Sequence, residues 1–265
     1  MEPIRVIING ALGRVSKVVT NTVMSDPGLK LVGATEKQVT QRYLPLPDTP
    51  EFVLFSSDLG SLLRECNPQV LVDFTNAEAS MAAARIAAKQ KVNLVIGTTG
   101  LSEENLAEIG KLCRANKVGA VVAPNFSLGA ALLIRLGKIA AKYFDHVEII
   151  EMHHDKKLDA PSGTAIATAK ALSQAHSKPF VYSETERETI SNTRGGQIDG
   201  IAIHSLRLPG FMAGQDVIFS GTDETLSLCH EAISRESYMS GVVLAIKEVV
   251  KRKGLIYGLD TLLKL

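Results

Sequence analysis

The sequence predicts an α/β chain in two parts: a doubly wound parallel sheet, then an α+β domain with an open mixed sheet. Three observations predict it. Through residue 123, short apolar runs alternate with longer segments of helical period, the pattern of βαβ units whose strands are buried on both faces. After Pro124 the alternation stops, and from Gly200 onward longer β-like runs follow one another across turns at Pro209-Gly210 and Gly221-Thr222. A last helical run and an apolar tail then return the chain to its first part. The 265 residues suffice for two modest domains. The expected division is 1–126 and 127–237, with 238–265 packing back on the first.

The elements follow in order. Residues 4–8 form an apolar strand closed by Asn9-Gly10, and a helix over 11–24 stops at Asp26-Pro27-Gly28, where proline cannot supply a helical N–H. A strand at 29–34 precedes a Pro-rich surface loop at 44–50. Strands at 70–74, 93–96 and 119–123 alternate with helices at 78–90 and 102–116. Ser102, with Glu104 and Asn105 behind it, reads as a helix start because its hydroxyl can accept an orphan backbone N–H. The second part carries a helix at 128–144, a strand at 147–152, a helix at 162–175 and strands at 201–208, 215–220 and 224–231. A helix at 239–251 and the apolar tail 255–265 close the chain.

Composition excludes several functions. A net charge of +1 without blocks of like charge offers no field for nucleic acid or an anionic membrane. Aromatic residues are 5% and tryptophan is absent, so no base-stacking surface is expected. No apolar run approaches the ~20 residues needed to span a bilayer. Met1-Glu2-Pro3 is no signal sequence, and the cytoplasm is the expected location. Cys66, Cys113 and Cys229 are odd in number and form no C-x-x-C pair, which fits buried thiols in a reducing compartment.

Two stretches carry chemistry. The first strand runs into Gly10-Ala11-Leu12-Gly13-Arg14-Val15, where a helix begins. Glycines permit the tight turn, and a helix N-terminus favours a dinucleotide pyrophosphate. Leu12 stands at the middle glycine of a G-x-G-G-R pattern, and Ser16 where another glycine is common. Glu36, at the end of the second strand, is placed to bond the ribose hydroxyls of NAD. Lys37 beside it suits the extra phosphate of NADP, so NADH and NADPH both remain open. Gly97-Thr98-Thr99 and Ala123-Pro124-Asn125-Phe126 end two further strands and face the same crevice. The second stretch runs from Glu151 through His153-His154-Asp155-Lys156-Lys157 to Pro161-Ser162-Gly163-Thr164. Imidazole exchanges a proton near neutral pH, and lysine donates one or holds an anion. Adjacent histidines do not share an ion, and no H-E-x-x-H spacing occurs, so no metal is expected. Ser162 can cap the following helix, and the amides of Gly163 and Thr164 suit a carboxylate.

The run from His153 to Ala165 resembles the signature of the 4-hydroxy-tetrahydrodipicolinate reductase (dihydrodipicolinate reductase) family. The resemblance extends to Val72-Asp73-Phe74-Thr75, Ile96 to Gly100, Pro124 to Ser127 and Arg207 to Gly210. It implies a Rossmann-like first domain, a second domain for substrate and oligomerisation, and a homotetramer. It implies NAD(P)H-dependent reduction of a small dicarboxylate in lysine biosynthesis through diaminopimelate. His153 and Lys157 match the proton-handling residues. His154, Gly163 and Thr164 match substrate contacts, and Ser162 lies beside them. Gly10 to Val15, Glu36, Gly97 to Thr99 and Ala123 to Phe126 match cofactor contacts, and Lys37 stands where an arginine favouring NADP is frequent. The residues alone leave open another small-acid or imine dehydrogenase on this fold, or a dinucleotide sensor without catalysis.

Overall fold

The computed structural model describes residues 2–263; Met1 and residues 264–265, the outer ends of the expected first domain and return segment, lie outside the described residues. In chain order the strands and helices begin with β1 (Ile4–Asn9), α1 (Arg14–Ser25), β2 (Leu29–Thr35), β3 (Tyr43–Pro45), β4 (Phe52–Ser56), α2 (Leu59–Cys66) and β5 (Val70–Asp73). They continue with α3 (Ala77–Lys89), β6 (Asn93–Ile96), α4 (Glu103–Asn116), β7 (Gly119–Val122), α5 (Leu128–Ala140), β8 (His146–His153) and α6 (Gly163–Ala175). The last are β9 (Gly196–Ile198), β10 (Ile201–Arg207), β11 (Ala213–Ser220), β12 (Thr225–Ala232), α7 (Met239–Val249) and β13 (Gly254–Tyr257). They belong to two compact units. One comprises the chain up to Phe126 together with residues from Tyr238 onward; the other comprises Ser127–Ser237.

The first unit is the doubly wound part. Its sheet runs β13-β7-β6-β5-β1-β2-β4-β3, parallel throughout except for β3 at the edge. Strand residues on both faces are buried, among them Val6, Ile7 and Ile8 in β1 and Val70 to Val72 in β5. One face packs on α2, α3 and α4 through Leu62, Leu63, Ala84, Ala87, Ala88, Ile109 and Cys113. The alanines of α3 let that helix lie close to the strands. The other face carries α1 and α7, which touch each other, and α7 reaches β5, β6 and β7. Lys247 of α7 pairs with Asp26 in the turn after α1 at 2.7 Å. From β1 the chain winds outward through β2 to β4, then returns to β5 on the opposite side. The switch point therefore falls between β1 and β5, where such sheets bind ligands.

The structure adds elements to the sequence reading. Tyr43 to Pro45 and Phe52 to Ser56 form a hairpin around part of the expected Pro-rich loop, closed by Leu46 N–H donating to Glu51 O at 3.0 Å. Pro45 is tolerated because β3 is a three-residue edge strand. Ala11 to Gly13 stay in a turn, so α1 starts at Arg14 rather than residue 11. α5 stops at Ala140 instead of 144, because the next amides turn back to carbonyls three residues away, Lys142 to Ile139 and Tyr143 to Ala140. Ser102 caps α4 in a reciprocal box with Asn105.

The second unit holds an open mixed sheet ordered β12-β11-β8-β10-β9. β8 and β10 are parallel, and the other neighbours are antiparallel. Along β8, Val147, Ile149 and Glu151 point into a core built with Leu133 of α5, Ala165, Ala169 and Leu172 of α6, and Phe219. A glutamate in the third of these inward positions departs from the apolar pattern. Among the described residues no helix is long and apolar enough to cross a membrane.

Candidate active site

The expected site residues fall into two groups, one in each unit. In the first unit they gather at the carboxyl ends of β1, β2, β6 and β7. Gly10 has φ +67°, and a Cβ there would lie 2.4 Å from Thr75 Cγ2, so only glycine fits. Ala11 N–H donates to Thr35 O at 3.0 Å and Gly13 N–H to Gly10 O at 3.1 Å, closing the turn. Gly13 is the N-cap of α1 and supplies no side chain, and the first turn has no acidic residue. By contrast α2, α3 and α4 are capped by Asp58, Asn76 and Ser102. An uncapped helix start beneath a glycine turn is a seat for an anion. Ser16 Oγ, buried under this turn, has no hydrogen-bond partner among the described residues. Leu12 is half-exposed and has no positive φ. The backbone thus keeps its turn with a side chain at that position. Arg14 is exposed and Val15 half-buried.

Glu36 and Lys37 lie just beyond β2. One Glu36 carboxylate oxygen accepts from Leu12 N–H at 3.2 Å and the other from Lys37 N–H at 2.9 Å, which ties the glycine turn to the second strand end. The Lys37 side chain is exposed. Gly97 is glycine for a reason internal to the protein: an added Cβ would meet the Phe74 ring at 2.0 Å. Phe74 also packs against Phe126, with ring centroids 5.4 Å apart. Thr98 is buried while Thr99 is exposed, and Ala123 N–H donates to Ile96 O at 3.1 Å. Pro124 and Asn125 are half-buried at the same edge. The cradle at Gly10, the open helix start and the buried Ser16 hydroxyl fit a dinucleotide phosphate.

In the second unit the chemistry begins with Glu151, which is fully buried. One oxygen bonds His153 Nδ1 at 2.5 Å. The other accepts from Arg207 Nη2 at 2.6 Å and Ser162 N–H at 3.3 Å. Burial alone would raise this carboxyl, but hydrogen bonds from His153, Arg207 and Ser205 outweigh it and bring the pKa down to about 2. An ionised carboxylate only accepts, so His153 Nδ1 must carry a hydrogen, and Nε2 is left as the nitrogen able to exchange a proton. β10 runs beside β8 with Arg207 opposite His153, which brings the guanidinium to this point. It also donates to Asp159 O at 2.8 Å and holds the loop that follows. In that loop Lys157 N–H donates to His154 O at 3.2 Å, and Lys157 Nζ bonds Asp159 Oδ1 at 2.7 Å. That pairing lowers the Asp159 carboxyl.

The loop ends at Ser162, the N-cap of α6, whose Oγ accepts from Ala165 N–H at 3.1 Å. α6 has no acidic residue in its first turn. A Cβ added at Gly163 would meet no protein atom within 4 Å, so packing does not demand a glycine there. Thr164 C=O accepts from the Thr168 hydroxyl at 2.9 Å. Sequence reading found the histidines, lysine and helix start but gave no role to Glu151 or Arg207. The signal for Glu151 was its inward place on a strand of period two; Arg207 stands in the stretch Arg207 to Gly210 that carries the resemblance, but nothing in the sequence shows its pairing with a residue 56 positions away.

A parallel sheet with a glycine turn at its switch point, joined in one chain to a mixed-sheet unit bearing an oriented imidazole, defines a two-unit NAD(P)H-dependent oxidoreductase. The chain belongs to the dihydrodipicolinate reductase family. The models described as dihydrodipicolinate reductase N-terminus and C-terminus match residues 4–126 and 129–263. Among its relatives, a 4-hydroxy-tetrahydrodipicolinate reductase of Dehalococcoides mccartyi is 49% identical over 265 residues, covering 100% of both chains. One from Moorella thermoacetica is 44% identical, covering 98% of each. The dipicolinate-bound dihydrodipicolinate reductase of Paenisporosarcina sp. TG-14 superimposes with a TM-score of 0.87 at 39% identity, covering 98% of this chain and 100% of that one.

Proposed function

We propose that this chain reduces 4-hydroxy-tetrahydrodipicolinate to tetrahydrodipicolinate and water with NADPH or NADH, in lysine biosynthesis through diaminopimelate, with His153 and Lys157 handling protons. The observation that carries the assignment of roles is the Glu151–His153 pair. Glu151 engages Nδ1 and so leaves Nε2 as the exchangeable site, and its negative charge stabilises the imidazolium that proton uptake creates. His153 or Lys157 delivers a proton as the substrate loses its hydroxyl and is reduced. NAD(P)H, when bound, supplies the hydride.

The N-terminus of α6 supports the dicarboxylate reading. The amides of Gly163 and Thr164 open a helix of 13 residues whose dipole favours an anion, and Gly163 leaves the backbone approachable. Ser162 holds that start in place, and His154 and Lys157 are the polar groups that steady the substrate ring. In the first unit Gly10, Ala11, Leu12, Gly13, Arg14 and Val15 would cradle the pyrophosphate. Glu36 and Lys37 would meet the adenosine ribose, and Gly97 to Thr99 with Ala123 to Phe126 the nicotinamide half. A cytoplasmic homotetramer is the assembly we assign, and light scattering of the purified chain tests it. The decisive assay mixes the enzyme with freshly made 4-hydroxy-tetrahydrodipicolinate and each reduced nucleotide in turn. Oxidation of at least one, dependent on substrate, is expected; no oxidation of either would sink the assignment.

A further inference from the structure

The carboxyl edge of the first sheet contains a buried carboxylate outside the proposed chemistry. Asp73, the last residue of β5, is 1% exposed. Its Oδ1 accepts from Thr75 N–H at 2.9 Å and from the hydroxyls of Thr75, Ser80 and Thr98 at 2.8, 2.6 and 2.9 Å. Its Oδ2 accepts from Asn9 Nδ2 at 2.5 Å, across the switch point between β5 and β1. Asn9 Oδ1 in turn accepts from the Thr35 hydroxyl at 2.7 Å. Asn9, Thr35, Ser80 and Thr98 are all buried. These partners are neutral. A carboxylate among neutral groups is costly to bury unless every lone pair is used. What it offers in return is acceptor capacity: no neutral side chain receives this many donors.

The donors tie together the turns assigned to the cofactor. Asn9 directly precedes Gly10. Thr75, held at two points by Asp73, places its methyl against Gly10, where any Cβ would clash. Thr35 accepts the Ala11 N–H and precedes Glu36, which accepts the Leu12 N–H. Thr98 is the centre of the Gly97–Thr99 turn. We propose that Asp73 is a positioning residue for cofactor binding, holding the Gly10 turn, the Glu36 strand end and the Gly97–Thr99 turn in register through one acceptor group. The proposal rests on the reading that these turns hold NAD(P)H.

The test uses the full chain and the variants Asp73→Ala, Asp73→Asn, Thr35→Val and Gly10→Val. NADPH binding is read by nucleotide fluorescence, with ADP-ribose and nicotinamide mononucleotide as probes of the two halves, and steady-state kinetics are run beside it. Asp73→Ala is expected to weaken both halves and raise the cofactor KM about tenfold or more, the scale of hydrogen bonds to a charged group, with kcat at saturating cofactor unchanged. Asp73→Asn keeps one acceptor oxygen but loses the charge and turns the other oxygen into a donor facing Asn9 Nδ2, so it is expected to bind more tightly than Asp73→Ala and more weakly than the parent. Thr35→Val is expected to weaken ADP-ribose alone; if Asp73→Ala does not fold, this variant carries the test. Unchanged cofactor affinity in the Asp73 and Thr35 variants, or a fall in kcat with cofactor KM intact, overturns the positioning role. If those results come with NADPH binding abolished in Gly10→Val, the cofactor reading stands and only the proposal falls. If Gly10→Val binds NADPH like the parent, both fall.

Discussion

Two buried carboxylates, one in each unit, solve the same physical problem in opposite ways. Asp73 is surrounded by neutral donors and holds backbone turns. Glu151 is bonded by an imidazole and a guanidinium, and holds groups that carry or exchange charge. The difference teaches what each end needs. A seat for a large ligand needs shape, which many neutral hydrogen bonds fix. A proton-transfer site needs an electric field and a defined tautomer, which a charge provides.

The contrast breaks most visibly at His153. His153→Ala is expected to lower kcat by about 10²–10⁴-fold while NADPH affinity stays unchanged, because the imidazole belongs to the charge-based end. Retention of more than about a tenth of the turnover would remove His153 from its role as general acid.

Glu151→Gln leaves the Arg207 guanidinium without its counter-charge and is expected to destabilise the fold by about 3–5 kcal/mol, read by denaturant melts. Its pH dependence has a definite sign. The folded carboxyl titrates near 2 against an ordinary 4.5, so between these values the unfolded chain binds the proton more readily. The stabilisation is present above 4.5 and fades as pH falls toward 2, a span of about 3 kcal/mol. The gap between parent and variant should therefore narrow on acidification; a gap constant with pH would show that charge is not what matters.

Smaller effects sharpen the picture. Gly163→Val should fold normally, since no protein atom opposes the new Cβ, yet raise the substrate KM by about tenfold to a hundredfold through lost bonds to a carboxylate. Leu12→Gly is expected to change NADPH affinity by less than about threefold, a surface-scale effect near 0.5 kcal/mol, because the Leu12 side chain is half-exposed and the turn keeps its backbone with it in place. A large gain in affinity would mean that the side chain obstructs the nucleotide.

How much was legible in the sequence depended on the range of the interactions. The parallel strands were readable because burial on both faces leaves continuous apolar runs, as in Val70 to Val72. The hairpin of β3 and β4 was not, since Pro45 contradicts a strand except at an edge, and edge status is known only once the sheet is assembled. β13 was visible only as an apolar tail, because its four residues gain strand character by pairing with β7, far back in the chain. At the site, His153 through Thr164 was readable because its parts are contiguous. The long-range pairs behind each group were hidden: Arg207 lies 56 residues from Glu151 in the second unit, and Asn9 lies 64 from Asp73 in the first.

The return of α7 to the first unit has a consequence for synthesis. The strands it covers, β5 to β7, emerge from the ribosome early, but their covering helix is made only after the whole of Ser127–Ser237. The second unit is contiguous and can close while translation continues. On that face α1 covers β1 and β2 from the start, while the apolar surface over β5 to β7 waits uncovered until α7 is made.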